Sequence, residues 1–314
     1  MNERFENDLA CYLHYDDAPR RPARARRRKR ARKHCARRFF ARCCGVLCLC
    51  AGVVLLARVW PALVSATPYS GAGTGGASAS VSLGGEWDAQ PRLAIETLAA
   101  AHPEVQPMLD EPSRWPADVA ALLARNEEAL GFVLAYHSLI IDAAPPARVE
   151  EAVRGSFPTL LQWDARWGCT PYGGSILAIT GCGPTALSVV ACGLTGDASL
   201  TPAAIAAWAQ RQGYAGADGT SWELMRSGCE HFGLYAQELS LTEAAVFGAL
   251  EAGQPIICSM RPGDFTTAGH FIVLTGTQDG LLCVVDPNSP ARSASLWEYS
   301  RLEPQIKNLW AYTA

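Results

Sequence analysis

Ile179-Thr180-Gly181-Cys182-Gly183-Pro184-Thr185-Ala186-Leu187 is the stretch around which we expect the fold to be organised. Gly181 and Gly183 allow the backbone to turn sharply on either side of Cys182, and Pro184 suits the first turn of a helix. Cys182 is therefore predicted at or just before a helix N-terminus, where the positive end of the helix dipole favours a thiolate. Two interpretations are open at this point: a catalytic nucleophile, or a buried cysteine in a tight turn.

The charged residues of this 314-residue chain are distributed unevenly. Residues 20–42 contain thirteen Lys or Arg and no Asp or Glu, whereas residues 67–314 contain twelve Lys or Arg and twenty-five Asp or Glu. A basic N-terminal segment and an acidic body are expected to face different surroundings. The basic segment is compatible with nucleic-acid binding, but the sequence that follows it favours a role in membrane topology.

An apolar segment follows the basic one. Residues 43–66 contain a single charge, Arg58, and are long enough to span a bilayer when that side chain lies near one end. We therefore predict a transmembrane or signal-anchor segment there, with the basic tail, residues 1–42, in the cytoplasm and the rest of the chain outside the cell. Val64-Ser65-Ala66 also resembles a signal-peptidase site, so a long cleaved signal is the alternative. We predict no nucleic-acid partner.

The remaining chain divides by composition. Residues 67–87 are rich in Gly, Ser, Ala and Thr and predict a flexible linker. Residues 88–156 carry apolar residues at helical spacing and predict a small helical lead-in region. Residues 157–314 show helical patterns followed by strand patterns, which predicts an α+β domain with N-terminal helices and a C-terminal antiparallel sheet. Its six cysteines show no Cys-x-x-Cys spacing, so no metal site is predicted, and an extracellular location favours disulfides whose pairing is open.

A predicted β-hairpin brings two polar side chains together. His270 opens one strand pattern, residues 281–285 form the next, and Asp279-Gly280 between them is typical of a tight hairpin turn. The start of one hairpin strand lies beside the end of the next, so Asp286 is predicted next to His270. Asn288 is a weaker alternative partner. Taken singly, a solvated strand-edge histidine and a turn-forming aspartate are the simpler interpretations.

Residues 157–314, and more loosely 88–156, resemble the C39-like family of bacterial papain-fold cysteine peptidases. The resemblance lies in five segments that follow in the family's order: Leu161-Gln162-Trp163-Asp164-Ala165-Arg166-Trp167-Gly168, Gly181-Cys182-Gly183-Pro184-Thr185-Ala186-Leu187, Pro262-Gly263-Asp264-Phe265-Thr266, Gly269-His270-Phe271-Ile272-Val273-Leu274 and Asp286-Pro287-Asn288-Ser289. The family's fold would be preceded here by the small helical region and one N-terminal transmembrane helix.

The resemblance also implies roles for four residues. Cys182 would be the nucleophile, His270 the general base and acid, and Asp286 the group that orients the imidazole. Gln162 would donate to the oxyanion beside the backbone N–H of Cys182. In many papain-like enzymes this glutamine lies about six residues before the cysteine, where this chain has Ile176. Gln162 reaches the site only if the intervening chain loops out and returns, so a structural glutamine is the alternative.

The function implied is that of an exported, membrane-tethered cysteine peptidase acting on a peptide or protein substrate through a thioester intermediate. This chemistry requires no metal and no other cofactor. Two alternatives are open: a catalytically silent relative that binds peptides or cell-wall material, and a thiol-dependent cell-wall amidase or transpeptidase. The sequence does not indicate the substrate or the oligomeric state.

Overall fold

The computed structural model of the protein describes residues 87–141, 148–216 and 219–314, and these belong to one compact unit. The predicted basic tail, the predicted membrane segment and all but Trp87 of the predicted linker lie outside the described residues. Among the residues that are described, no helix is both long enough and apolar enough to cross a membrane.

The lead-in region is helical, as its apolar periodicity predicts. Its helices are α1 (Ala89–Ala99), α2 (Gln106–Asp110), α3 (Ala117–Arg125) and α4 (Leu130–Leu139), with 3₁₀ turns at Pro103–Val105, Pro112–Arg114 and Glu127–Ala129. Their buried side chains, such as Ile95, Met108 and Leu123, form a cluster that also contains Ile176 and Ala178. The lead-in therefore shares its core with the segment that leads into Cys182.

The second region contains seven helices among the described residues. They are α5 (Leu177–Thr180), α6 (Cys182–Thr195), α7 (Pro202–Arg211), α8 (Trp222–Arg226), α9 (Glu243–Glu251), α10 (Pro290–Ser293) and α11 (Tyr299–Leu302). The predicted helix start at Cys182 is confirmed, with Gly181 as the N-cap residue. The helical segment that begins at Trp222 is divided into two parts. The α-helix ends at Arg226 and a 3₁₀ segment, Gly228–Phe232, follows it, because Ser227 and Gly228 are poor helix formers.

The main sheet has six antiparallel strands: β5 (Tyr235–Glu238), β6 (Ile256–Met260), β7 (His270–Gln278), β8 (Leu281–Val285), β9 (Leu296–Trp297) and β10 (Ile306–Thr313). Their order across the sheet is β5–β10–β6–β7–β8–β9. Two short hairpins, β1 (Pro171–Tyr172) with β2 (Ser175–Ile176) and β3 (Ala215–Gly216) with β4 (Gly219–Thr220), lie outside it. Asp279 and Gly280 have φ values of 54° and 78°, as the predicted turn between β7 and β8 requires.

The two faces of this sheet pack against different helices. Ile257, Phe271 and Val273 belong to the cluster that contains the buried side chains of α6. Ile272 and Leu274 belong to a second cluster with the buried residues of α9. Successive side chains of β7 thus point to opposite faces of the sheet, as strand geometry requires. Helix α6 packs on β7, and the first residues of the two elements, Cys182 and His270, line one cleft.

Candidate active site

Three separate segments bring Cys182, His270 and Asp286 together. Cys182 is the first residue of α6, His270 is the first residue of β7, and Asp286 directly follows β8. Nε2 of His270 lies 2.7 Å from Oδ1 of Asp286, the distance of a charge-assisted hydrogen bond. Cys182 and His270 line the same cleft. The juxtaposition of His270 and Asp286 is the one predicted from the hairpin, and Asp286 rather than Asn288 is the partner of the ring.

The imidazole of His270 is buried, with only 8% of the residue exposed. Burial by itself would lower the pKa of His270, because it disfavours the charged ring. The hydrogen bond to Asp286 and the neighbouring Cys182 side chain outweigh burial and raise the pKa of His270 to about 10. The ring is therefore protonated at neutral pH, and its positive charge lies against the sulfur of Cys182.

Asp286 is fully buried, and its carboxylate is surrounded by donors. Burial would raise the pKa of Asp286, but His270 and the guanidinium of Arg292 hold it below its usual value. Nε of Arg292 donates to Oδ2, and the backbone N–H of Asn288 donates to Oδ1 at 2.7 Å. The carboxylate is thus kept ionised where it contacts the ring. Arg292 was not predicted, since only the short helix α10 brings it back to Asp286.

The loop that carries Asp286 is attached to the lead-in region. Glu128 accepts hydrogen bonds from the hydroxyl of Ser289 and, at 2.9 Å, from the backbone N–H of Ala291. Nδ2 of Asn126 donates to the carbonyl oxygen of Asn288 at 2.7 Å. Asn126 and Asn288 are 162 residues apart, so no local sequence pattern predicts this contact. The lead-in therefore holds the segment that positions the carboxylate.

Gln162 lies between the segments that carry Asp286 and Cys182. Its backbone N–H donates to the carbonyl oxygen of Pro287 at 2.7 Å. Its side-chain nitrogen donates to the carbonyl oxygens of Ala178 at 2.8 Å and Ile179 at 3.4 Å, while Oε1 is buried without a hydrogen-bond partner among the described residues. Gln162 thus connects two parts of the site through its backbone and its side chain. Its role as oxyanion donor stays a prediction.

Gly183 permits a close approach between α6 and the short hairpin that ends at Thr220. A β-carbon added at Gly183 would lie 2.5 Å from Oγ1 of Thr220, closer than real contacts allow. The hydroxyl group of Thr220 also hydrogen-bonds the hydroxyl group of Tyr172 at 2.9 Å. The glycine after Cys182 is therefore required by packing beside the site, in addition to the turn predicted from the sequence.

The open side of the site is a cleft of about 640 Å³. Cys182 and His270 both line it, and Gln162 does not. The other lining residues are Ile179, Thr180, Gly219, Thr220, Trp222, Ser259, Met260, Arg261, Pro262, Ala268, Gly269, Phe271 and Lys307. The volume is within the usual range for a ligand site, so the sulfur and the ring are both accessible to a bound molecule.

Four of the five remaining cysteines of the described residues differ from Cys182 in their surroundings. All six are free, so no disulfide forms within the part of the chain that is described. Burial raises the pKa of Cys169, Cys192 and Cys229 to about 11 and raises the pKa of Cys258 still further. These four thiols are therefore protonated at neutral pH and unreactive.

Comparison with known proteins links residues 156–314 to one family: the model of the Peptidase_C39 like family matches them, which is half of the chain. The peptidase domain of Streptococcus ComA, described as a bi-functional ABC transporter involved in a quorum-sensing pathway, is a similar solved structure. It has 19% sequence identity and a TM-score of 0.34, and the match covers 42% of this chain and 89% of that chain.

A putative C39-like peptidase from Bacillus anthracis is also similar to this chain, with 16% identity, a TM-score of 0.32, and 53% of this chain and 98% of that chain covered. No curated protein matches the sequence. The family assignment depends on the match of residues 156–314 to the family model.

The raised pKa of His270 predicts how stability depends on pH. The folded protein holds the His270 proton more tightly than the unfolded chain, where the ordinary pKa is 6.5. The contribution of His270 to the unfolding free energy should therefore be full below about pH 6.5 and fall as the pH rises toward about 10. Denaturant unfolding across this range should show the fall in the wild-type protein and a flatter profile in His270→Gln. His231→Gln, at a histidine away from the site, is the control and should show the same fall of the unfolding free energy with pH as the wild-type protein. An equal fall in His270→Gln and the wild-type protein would contradict the assignment of the raised pKa to His270.

Proposed function

Because the chain belongs to the Peptidase_C39 like family, we propose that it is a papain-like cysteine peptidase that hydrolyses peptide bonds through Cys182, His270 and Asp286. One observation carries the proposal: Cys182 lines the same cleft as an imidazole that a buried carboxylate holds at 2.7 Å. Nucleophilic catalysis requires a nucleophile, a base within reach of it, and a third group that orients the base. Peptide bonds are the substrates because the family is one of peptidases.

The reaction begins from an ion pair. A protonated His270 ring beside the sulfur favours the thiolate of Cys182, as does the N-terminus of α6. The thiolate attacks the carbonyl carbon of the substrate and forms a C–S bond. His270 gives its proton to the leaving amine as the C–N bond breaks, leaving a thioester on Cys182. A water molecule then loses a proton to His270 and attacks the thioester, which releases the acid and restores the thiolate and the protonated ring.

The negative charge that develops on the carbonyl oxygen needs nearby donors. The backbone N–H of Cys182 is one, because an amide in the first turn of a helix has no acceptor within that helix. The predicted second donor is the side chain of Gln162. For Gln162 to fill that role, its amide nitrogen would have to release the carbonyl oxygen of Ala178. Otherwise, other donors in the cleft would have to help bind the peptide.

The N-terminal sequence supports an extracellular location for this peptidase. The basic residues 20–42 and the apolar residues 43–66 together support a single membrane span with the N-terminus in the cytoplasm. In this proposal the catalytic body is tethered to the outer side of the cell membrane. A substrate of the enzyme would then be an extracellular or cell-surface peptide or protein.

Location can be tested on the full chain expressed in a bacterium. The chain should sediment with membranes after an alkaline wash, and trypsin added to intact cells should digest the body while the basic tail stays protected. A shortened chain released into the medium, with its new N-terminus near residue 67, would indicate cleavage. That result would contradict membrane tethering but would agree with export. A body that stays protected inside intact cells would contradict export.

Activity should depend on Cys182 and on no other thiol. The full chain should hydrolyse denatured casein and should be alkylated at Cys182 by iodoacetamide at neutral pH. Cys182→Ala and His270→Ala are expected to lose at least about 1,000-fold in rate, as when members of a catalytic unit are removed. Cys283→Ala, at a half-buried thiol on β8, is the matched control and should keep full activity.

Two results would contradict this function. One is an unreactive Cys182 in the wild-type chain, which would favour a silent peptide-binding relative. The other is hydrolysis of cell-wall muropeptides with no hydrolysis of casein, which would favour a cell-wall amidase.

Glu128 is expected to act as a positioning residue, through the loop that carries Asp286. Glu128→Ala should lower kcat about tenfold with little change in KM, and it should move the upper pH limit of activity downward because a loosened Asp286 retains the His270 proton less well. Glu127→Ala removes an exposed neighbouring side chain that binds His102. This variant should keep the wild-type kcat and the wild-type upper pH limit of activity. A Glu128→Ala variant that loses stability but keeps kcat and the pH limit would show that the residue is only structural.

A further inference from the structure

The described lining of the cleft beside Cys182 carries positive charge, although the body that contains the cleft is acidic. Residues 67–314 carry twelve Lys or Arg against twenty-five Asp or Glu. Yet the described residues that line the cleft include Arg261, Lys307 and His270 and no Asp or Glu. Lys307 is also the only lysine in residues 67–314. A cleft of one charge sign within low-dielectric walls concentrates the field and attracts ligands of the opposite sign.

A β-bulge places Lys307 on the cleft side of the sheet. Ile306 pairs with Met260, and Asn308 pairs with Ser259, so Lys307 is the extra residue of β10. Bulges occur next to active sites, where they redirect a side chain. Met260 also pairs with His270 on β7. The bulge therefore lies two strands from His270, at the same end of the sheet.

The Lys307 ammonium group is held in place by an aromatic platform. Its Nζ atom lies 5.1 Å from the centroid of the Trp222 ring, within the range of a cation–π contact. Trp222 packs edge-on against Trp310 with the ring centroids 5.5 Å apart, and Trp310 is buried. The contact restrains a flexible side chain without neutralising its charge, so all three N–H donors of the ammonium group remain available.

Arg261 is anchored in a similar way. Its Nη1 atom donates to the carbonyl oxygen of Ile306 at 2.7 Å, which fixes the guanidinium beside the bulge and leaves other N–H donors free. The nearby carboxylate of Asp264 is bound by Arg301 and Gln305 instead. Within the described ranges, no salt bridge involves Arg261 or Lys307. Two restrained cations thus face the cleft.

From this arrangement, and resting on the proposed peptidase function, we infer that Arg261 and Lys307 form a subsite that binds a carboxylate of the substrate. The enzyme then prefers peptides that carry an acidic group near the scissile bond. The group is either the side chain of an Asp or Glu or the C-terminal carboxylate of the peptide. An arginine and a lysine suit this ligand, since both donate charge-assisted hydrogen bonds to carboxylate oxygens.

The first test compares two alkylating agents of similar size at Cys182, and needs no peptide substrate. Iodoacetate is an anion and iodoacetamide is neutral, so the ratio of their rates reports the field of the cleft, while the neutral reagent controls for the reactivity of the sulfur. The rate with iodoacetate divided by the rate with iodoacetamide is measured by mass spectrometry of the Cys182 peptide in the full chain. This ratio should fall on the order of threefold to tenfold in Lys307→Gln and in Arg261→Gln. High salt should reduce the difference.

The matched control for this test is Arg211→Gln. Arg211 is an exposed residue at the end of α7 and does not line the cleft. The substitution removes the same charge from the acidic body, so it should leave the ratio of the two rates unchanged. An equal fall in Arg211→Gln and Lys307→Gln would mean that only the overall charge of the body matters, which would overturn the subsite.

The second test measures binding and identifies the source of the carboxylate. The affinity of the Cys182→Ala chain is measured for three kinds of fluorescent alanine-rich hexapeptide. The first kind carries Glu at each position in turn and an amidated C-terminus. The second carries Gln in place of Glu with the same amidation, and the third carries Gln with a free C-terminus. Tighter binding of the Glu form at one position assigns the site to an acidic side chain. Tighter binding of the free carboxylate assigns it to a C-terminus. Lys307→Gln should remove either preference.

The outcomes separate the two proposals. If iodoacetamide fails to modify Cys182, the peptidase function fails, and peptide binding alone still decides whether the subsite exists. Equal affinity for all three peptide forms, or a preference that survives in both Lys307→Gln and Arg261→Gln, would overturn the carboxylate subsite even if Cys182 is fully reactive.

Discussion

The buried hydrogen bond between His270 and Asp286 is the interaction on which the rest of this structure depends. An ionised carboxylate and a protonated imidazole are each costly to bury, and the pair is stable only when its remaining donors and acceptors are satisfied. Here Arg292 and the backbone N–H of Asn288 complete the shell around the carboxylate. Removing one partner of such a pair leaves an uncompensated buried charge, at a cost of about 3–5 kcal/mol.

That constraint explains why the helical lead-in and the α+β region form one unit. The Asp286 loop is short, and its position is fixed by contacts from outside it: Glu128 and Asn126 from the lead-in, and the backbone of Gln162. The same lead-in packs its core against Ile176 and Ala178, just before Cys182. Both halves of the site therefore depend on the lead-in, which is a structural part of the same unit.

Local patterns in the sequence predicted the parts of this site that depend on short-range physics. The glycines and proline around Cys182 predicted a helix start, and the Asp279-Gly280 turn predicted the register that sets His270 beside Asp286. Strand β5 was not predicted, because its side chains are mostly exposed and show no apolar alternation. The contacts of Arg292 and Glu128 require elements to meet in three dimensions, and the bulge at Lys307 appears only once β10 pairs with β6.

Nitrogen-15 NMR of the His270 ring tests the central claim most directly, since the chemical shifts of both ring nitrogens report whether the imidazole is protonated. The resonances can be assigned by their loss in His270→Gln, because the chain has only six histidines. The account predicts that the wild-type ring stays doubly protonated at pH 8, and that Asp286→Asn makes it neutral at the same pH. A neutral ring at pH 8 in the wild-type protein would contradict the buried ion pair and the mechanism built on it.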